Sequence, residues 1–196
     1  SVAPALAGKH GASKKADPKS AILLVAFGTT VPEARKAFDQ VELRVKKEFP
    51  DTELRWAFTS SKIRKKLAAD GLVVDSPRVA LARLMDDGYN RIVVASLHTL
   101  FGEEFHDLAQ DVNAMNQTSG SSSRKIVLAR ALMSSRENIE SSIKSLIEQA
   151  PDTRKPQDAI LLMGHGSVRH PADTVYAARN YYAQISDPNF FVATVD

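Results

Sequence analysis

Cysteine is absent from the 196 residues. Disulfides, thiolate metal centres and cysteine nucleophiles are thereby excluded, and any metal chemistry must draw on His, Asp, Glu or backbone oxygen. No apolar run approaches the roughly 18 residues that a membrane-spanning helix needs. Neither a Gly-x-Gly-x-x-Gly fingerprint nor a Walker A loop occurs, so nucleotide binding has no support. A Gly-x-Ser-x-Gly elbow is missing too, and no Ser-His-acid set can be assigned by spacing, which disfavours serine hydrolysis. A large excess of either charge is missing as well. The net charge is +3, and much of the excess sits in Lys9, Lys14, Lys15 and Lys19. So mild a surplus fits anionic small ligands as readily as nucleic acid and selects neither.

What is present is an ordinary globular composition, 43% hydrophobic and 25% charged, enough for one large domain or two small ones. Residues 1–19 read as a tail. Ala5-Leu6-Ala7 before Gly8 fits either the end of a secretory signal peptide or a flexible Ala/Gly/Lys segment. Ala21 to Phe27 is continuously apolar and stops at Gly28, as expected of a strand covered on both faces. Ala34, Phe38, Val41 and Val45 then recur at helical spacing, with Thr30 placed to cap and Pro32 and Glu33 suited to the first turn. Further strands are expected at "ELRWAFT", "RIVVASLHTL", "KIVLARAL", Ala159 to Met163 and "NFFVATVD". Helices are expected between them, the clearest capped by Ser76 with Pro77 at its first position. Strands and helices that alternate in this way specify an α/β fold with a parallel sheet flanked by helices. A fold rarely ends directly after a buried strand, so a longer natural chain is expected.

In parallel sheets, ligands bind beyond the carboxyl ends of the strands. The residues found there are Gly28-Thr29-Thr30, Thr59-Ser60-Ser61, His98 with Gly102-Glu103-Glu104, and Gly164-His165-Gly166-Ser167. His165 is the sharpest candidate. Glycines on both sides leave it open to close approach, and a near-neutral imidazole can ligate a divalent metal or take a proton. Glu103 and Glu104 read as helix N-terminal acids or, if their strand neighbours that of His165, as carboxylates facing it across a cleft. His98 is either a buried hydrogen-bonded histidine or a cleft residue. His106 lies on a polar helix, as a solvated residue or as an interface metal or haem ligand. Thr29, Thr30, Ser60 and Ser61 offer hydroxyls at helix starts, which serve as caps and also suit anionic carboxylates.

Four blocks, "LLVAFGTT", "RWAFTSSKIRKKL", "SLHTLFGEEF" and "LLMGHGS", occur in this order. Together they resemble the early-insertion sirohydrochlorin cobaltochelatases of the class II chelatase family, from about Ala21 onward. The resemblance implies two Rossmann-like lobes facing across a cleft that holds a tetrapyrrole, with no nucleotide and no nucleic acid involved. It implies an N-terminal lobe over 20–155 and the start of a second lobe over 156–196, the remainder of that lobe and its metal-binding histidine lying beyond position 196. It gives His165 the role of metal ligand and participant in pyrrole deprotonation, assisted by Glu104 rather than Glu103. Phe27, Gly28, Thr29, Ser60, Ser61, His98, Gly164, Gly166 and Arg169 are the candidates for holding the ring. Co²⁺, or Fe²⁺, would be the metal inserted. An exported member would be periplasmic rather than cytoplasmic, and His106 would then be of interest as a haem or metal ligand in a homo-oligomer. The rival readings are a non-catalytic metal or tetrapyrrole carrier on the same scaffold, and an α/β binding module without metal.

Overall fold

The computed structural model describes residues 18–118, 124–168 and 170–195, without the side chains of His170 and Pro171. The Ala5-Leu6-Ala7 segment and Arg169 lie outside the described residues. Twelve elements follow in order: β1 (Ser20–Ala26), α1 (Pro32–Glu48), β2 (Glu53–Phe58), α2 (Ser61–Ala69), α3 (Pro77–Asp86), β3 (Arg91–Ser96), α4 (Glu103–Thr118), β4 (Lys125–Leu128), α5 (Arg136–Ile147), β5 (Ile160–Gly164), α6 (His170–Ser186) and β6 (Phe190–Thr194). They form two parallel sheets, one ordered β2-β1-β3-β4 and one holding β5 and β6.

The main core lies on one face of the larger sheet. Leu23 and Val25 of β1 and Ile92 and Val94 of β3 meet Leu81 and Leu84 of α3 and Leu108 and Val112 of α4. Leu81 and Leu84 are fully buried, and each such side chain contributes about 1.5–3 kcal/mol of transfer free energy. α3 starts as its sequence specifies. The Ser76 hydroxyl accepts from the Val79 amide at 3.4 Å, and Pro77 takes the first helical position.

On the opposite face β1 is covered as expected, with Leu24 and Ala26 buried, but the sheet beyond it is not. Val93 of β3 and Val127 of β4 are exposed there, and α1 buries no residue fully. A continuous apolar strand records that both faces are apolar, and only the helices decide which face is sealed. Here α1 leans on the β1–β2 edge, where Phe38 stacks 5.2 Å from Trp56 and the Trp56 Nε1–H donates to Glu42 at 2.7 Å. Its cap also differs from expectation. Val31 is the N-cap with no side-chain bond, and Thr29 rather than Thr30 supplies the local hydroxyl, accepting from the Val31 amide at 3.1 Å. β4 stops at Leu128, short of the expected run to Leu132.

A second core lies under the smaller sheet. Ile143 of α5 and Ala183 of α6 pack on Phe190, with Ile160, Leu162 and Val192 alongside. α5 precedes position 155 in sequence, yet its apolar face belongs to this second cluster. Arg154 and Asp187, both largely buried, pair across the loop that leads into β5.

Candidate functional site at the strand ends

β1 sits between β2 and β3, so the chain leaves it first to one side and then to the other. The carboxyl ends of β1 and β3 therefore flank a topological switch point, where α/β sheets open a crevice. Phe27 follows β1 into this crevice and is exposed. The β3 strand runs on through Leu97, whose amide bonds to Val25 at 2.8 Å, and into His98. Backbone bonds from Leu132 to His98 (2.9 Å) and from Met133 to Thr99 (2.9 Å) clamp that loop to the segment after β4. α4 then begins with Glu103 and Glu104, the first exposed and the second half-buried.

β5 delivers His165 to the same place from the other sheet. A cleft of about 500 Å³ is lined by Phe27, His98, Glu103, Glu104, His165 and Tyr176, with Gly166 and Ser167 at its edge. β5 is not hydrogen-bonded to β3, so the imagined route of neighbouring strands is wrong. The carboxylates and His165 meet across the gap between sheets instead. Glu104 also borders a second cleft of about 380 Å³ that contains Thr59, Arg64, Arg78, Asp107 and Asp111. It thus stands in the wall between two cavities.

The remaining candidates divide. Phe27, His98 and Gly166 line the main cleft, whereas Gly28, Thr29, Ser60, Ser61 and Gly164 do not. Ser60 is used as the cap of α2, accepting from the Ile63 amide at 3.4 Å, and Ser61 opens that helix. Gly28 adopts φ +97°, and a Cβ there would lie 2.7 Å from the Phe58 ring. Its glycine character therefore serves the turn and the packing. Gly164 corrects the idea that both glycines beside His165 keep space for a ligand. A Cβ on it would lie 2.2 Å from Tyr176, whose ring occupies that space. His106 lies on the exposed side of α4, outside this cleft, with its Nε2 2.8 Å from the Gln110 amide nitrogen.

His98 carries a marked electrostatic signature. Burial pushes its imidazole below the ordinary value of 6.5, partly opposed by the negative charge of Glu104. It is thus neutral at physiological pH. Among the described residues, no three His, Asp or Glu side chains converge to hold a metal ion unaided. The cleft is lined by two imidazoles, of His98 and His165, and two carboxylates, of Glu103 and Glu104, and a metal there would have to add ligands from elsewhere.

The comparisons with known proteins bear on the same region. The model of the cobalt chelatase family CbiK matches residues 20–196. The chain belongs to the cobalt chelatase family. It is 34% identical over 177 residues to the sirohydrochlorin cobaltochelatase CbiKC of Nitratidesulfovibrio vulgaris strain Hildenborough, covering 90% of this chain and 62% of that protein. It is 30% identical over 165 residues to the sirohydrochlorin cobaltochelatase of Salmonella typhimurium strain LT2, covering 83% of this chain and 60% of that protein. The chain spans about three fifths of the length of these curated relatives.

Within this cobalt chelatase fold, two cleft features escaped the sequence. Tyr176 gives no local signal in its helix, and only its contact with Gly164 reveals it. Ser96 is the last residue of β3, and its partnership with His98 appears only once both are seen to lie on one side of the strand end.

Proposed function

We propose that this chain carries the reaction centre of a metal chelatase that inserts Co²⁺ into sirohydrochlorin without nucleotide hydrolysis, and that Fe²⁺ is a competent alternative. The observation that carries the reading is the single cleft shared by His165, Glu104 and His98 at the mouth between the two sheets. Family membership and the names of its relatives support the choice of substrate.

The reaction exchanges two pyrrole N–H protons for one divalent cation. A chelatase must therefore present the metal and remove protons on the same ring face. Neutral imidazole suits Co²⁺ and Fe²⁺, so His165 serves as the presenting ligand. Glu104 serves as the acceptor of the two protons in turn, half-buried beside the cleft and releasing each to water in the second cavity on its other side. The metal would complete its coordination from the ring nitrogens as water leaves. Phe27 offers an exposed ring edge for the macrocycle to rest on.

The test is anaerobic absorbance of sirohydrochlorin with Co²⁺ and the full-length protein, beside His165→Ala. Spectral conversion lost in the variant supports the reading. Tight binding of ring or metal with no conversion by the wild type overturns it and leaves a carrier.

A further inference from the structure

Among the described residues, Ser96 is the one buried residue with a polar side chain. Its hydroxyl has two contacts, both with His98. It accepts the His98 backbone N–H at 3.2 Å and lies 2.9 Å from the ring Nδ1. A buried hydroxyl needs an acceptor for its own hydrogen, and Nδ1 is the acceptor within reach. If Nδ1 carried the proton instead, the hydroxyl hydrogen would be stranded inside the protein. The neutral imidazole of His98 is therefore fixed with its proton on Nε2. That Nε2 is sealed from solvent and has no hydrogen-bond partner. A solitary N–H donor thus faces inward in the wall of the cleft.

The acceptor best placed to meet it is a protein group, because a ligand in the cleft does not reach a sealed atom without displacing the wall. Glu104 shares that wall, and its charge is the one that acts on this imidazole. Glu103 is exposed at the first position of α4. We propose that His98 is a positioning residue for Glu104: locked in one tautomer by Ser96, its Nε2–H donates to one oxygen of the Glu104 carboxylate when the tetrapyrrole fills the cleft, leaving the other oxygen directed at the pyrrole nitrogens. This rests on the chelatase reading above. A neutral donor suits the task. It orients the carboxylate with less loss of proton affinity than a cationic partner would impose. Outer partners of this kind orient a site without touching the reacting atoms.

The experiment uses the full-length protein labelled at its histidine ring nitrogens and Glu side-chain carboxyl carbons, with His98→Gln, His98→Ala and Ser96→Ala. Gln places an amide N–H near the position of Nε2, whereas Ala removes the donor. In the wild type, ring correlation spectra are expected to show His98 protonated on Nε2, and Ser96→Ala to mix the two tautomers. His98→Ala is expected to lower kcat by about tenfold or more with KM little changed, and His98→Gln to recover most of that loss. The Glu104 carboxyl signal is expected to shift on ring binding in the wild type and not in His98→Ala. Protonation on Nδ1, a Gln variant no better than Ala, or a Glu104 signal indifferent to His98 would each overturn the proposal. Should the wild type bind the ring without inserting metal, the chelatase reading fails alone, and the tautomer and the Glu104 signal still judge His98. Should His98→Ala not fold, His98→Gln and Ser96→Ala carry the same comparison.

Discussion

Replacing Gly164 by Ala tests the wall of the cleft. Gly164 ends β5 on the face that carries Ile160 and Leu162, beneath α6. An added Cβ would lie 2.2 Å from Cε1, 2.8 Å from Cζ and 3.0 Å from Cδ1 of Tyr176. Carbon atoms rest about 3.5–4.0 Å apart, so the ring must move by well over an ångström. Gly164 is not among the glycines with positive φ, and no backbone strain enters. The cost is overpacking alone, about 1–3 kcal/mol. For a chain of this size that corresponds to a fall in Tm of roughly 2–12 °C. Removing the ring first should remove the cost. In a Tyr176→Ala background the same substitution is expected to change stability by less than about 0.5 kcal/mol, and the difference is a coupling energy. Urea unfolding of the four proteins, followed by circular dichroism, measures it. Equal costs in both backgrounds, or a cost below about 0.5 kcal/mol in the wild type, would refute the claim that Tyr176 rests on this glycine.

Three further outcomes are expected. Ile143→Ala, at a fully buried position joining α5 to α6 and β6, should cost about 2–5 kcal/mol in chemical denaturation. Glu104→Gln should lower the rate of metal insertion by about 10²-fold or more with little change in ring affinity, because the amide fills the same space and takes no proton; stopped-flow absorbance reads both quantities. Stability should fall as pH drops below about 6.5. There the unfolded His98 binds a proton that the folded chain refuses until lower pH, since burial depresses its folded value. Above about pH 7.5 this group contributes no slope, and His98→Gln should reduce the slope just below about pH 6.5, leaving the steeper fall at lower pH that comes from carboxylates such as Asp187.

How much of this was legible in the sequence follows from range. The cap at Ser76-Pro77 is a local bond between residues three apart, and it stands as read. The candidacies of Glu104 and His165 were legible because strand ends must project toward a common edge in a parallel sheet. Their meeting between two sheets was not, since strand pairing is set by packing far along the chain. Val93 and Val127 show the same limit: apolar periodicity tells which faces dislike water, and not which helices arrive to cover them. Gly164 was read as room for a ligand because the bulk of Tyr176 comes from another element. The Ser96–His98 pair lies two residues apart, yet its meaning depends on burial, which no two-residue pattern reports.

The central place of β1 has a consequence during synthesis. Of the six described strands it is made first and is among the most apolar, and it must pair along both edges. Its β3 edge closes against sequence about seventy residues later, as the bond from the Lys19 amide to Asn90 shows with its separation of 71. At ribosomal speeds of about 5–20 residues per second, that partner emerges roughly 4–14 s after β1 itself. Throughout that interval the β3-facing edge of β1 has no strand partner, and its backbone N–H and C=O groups stay open to pairing with another chain.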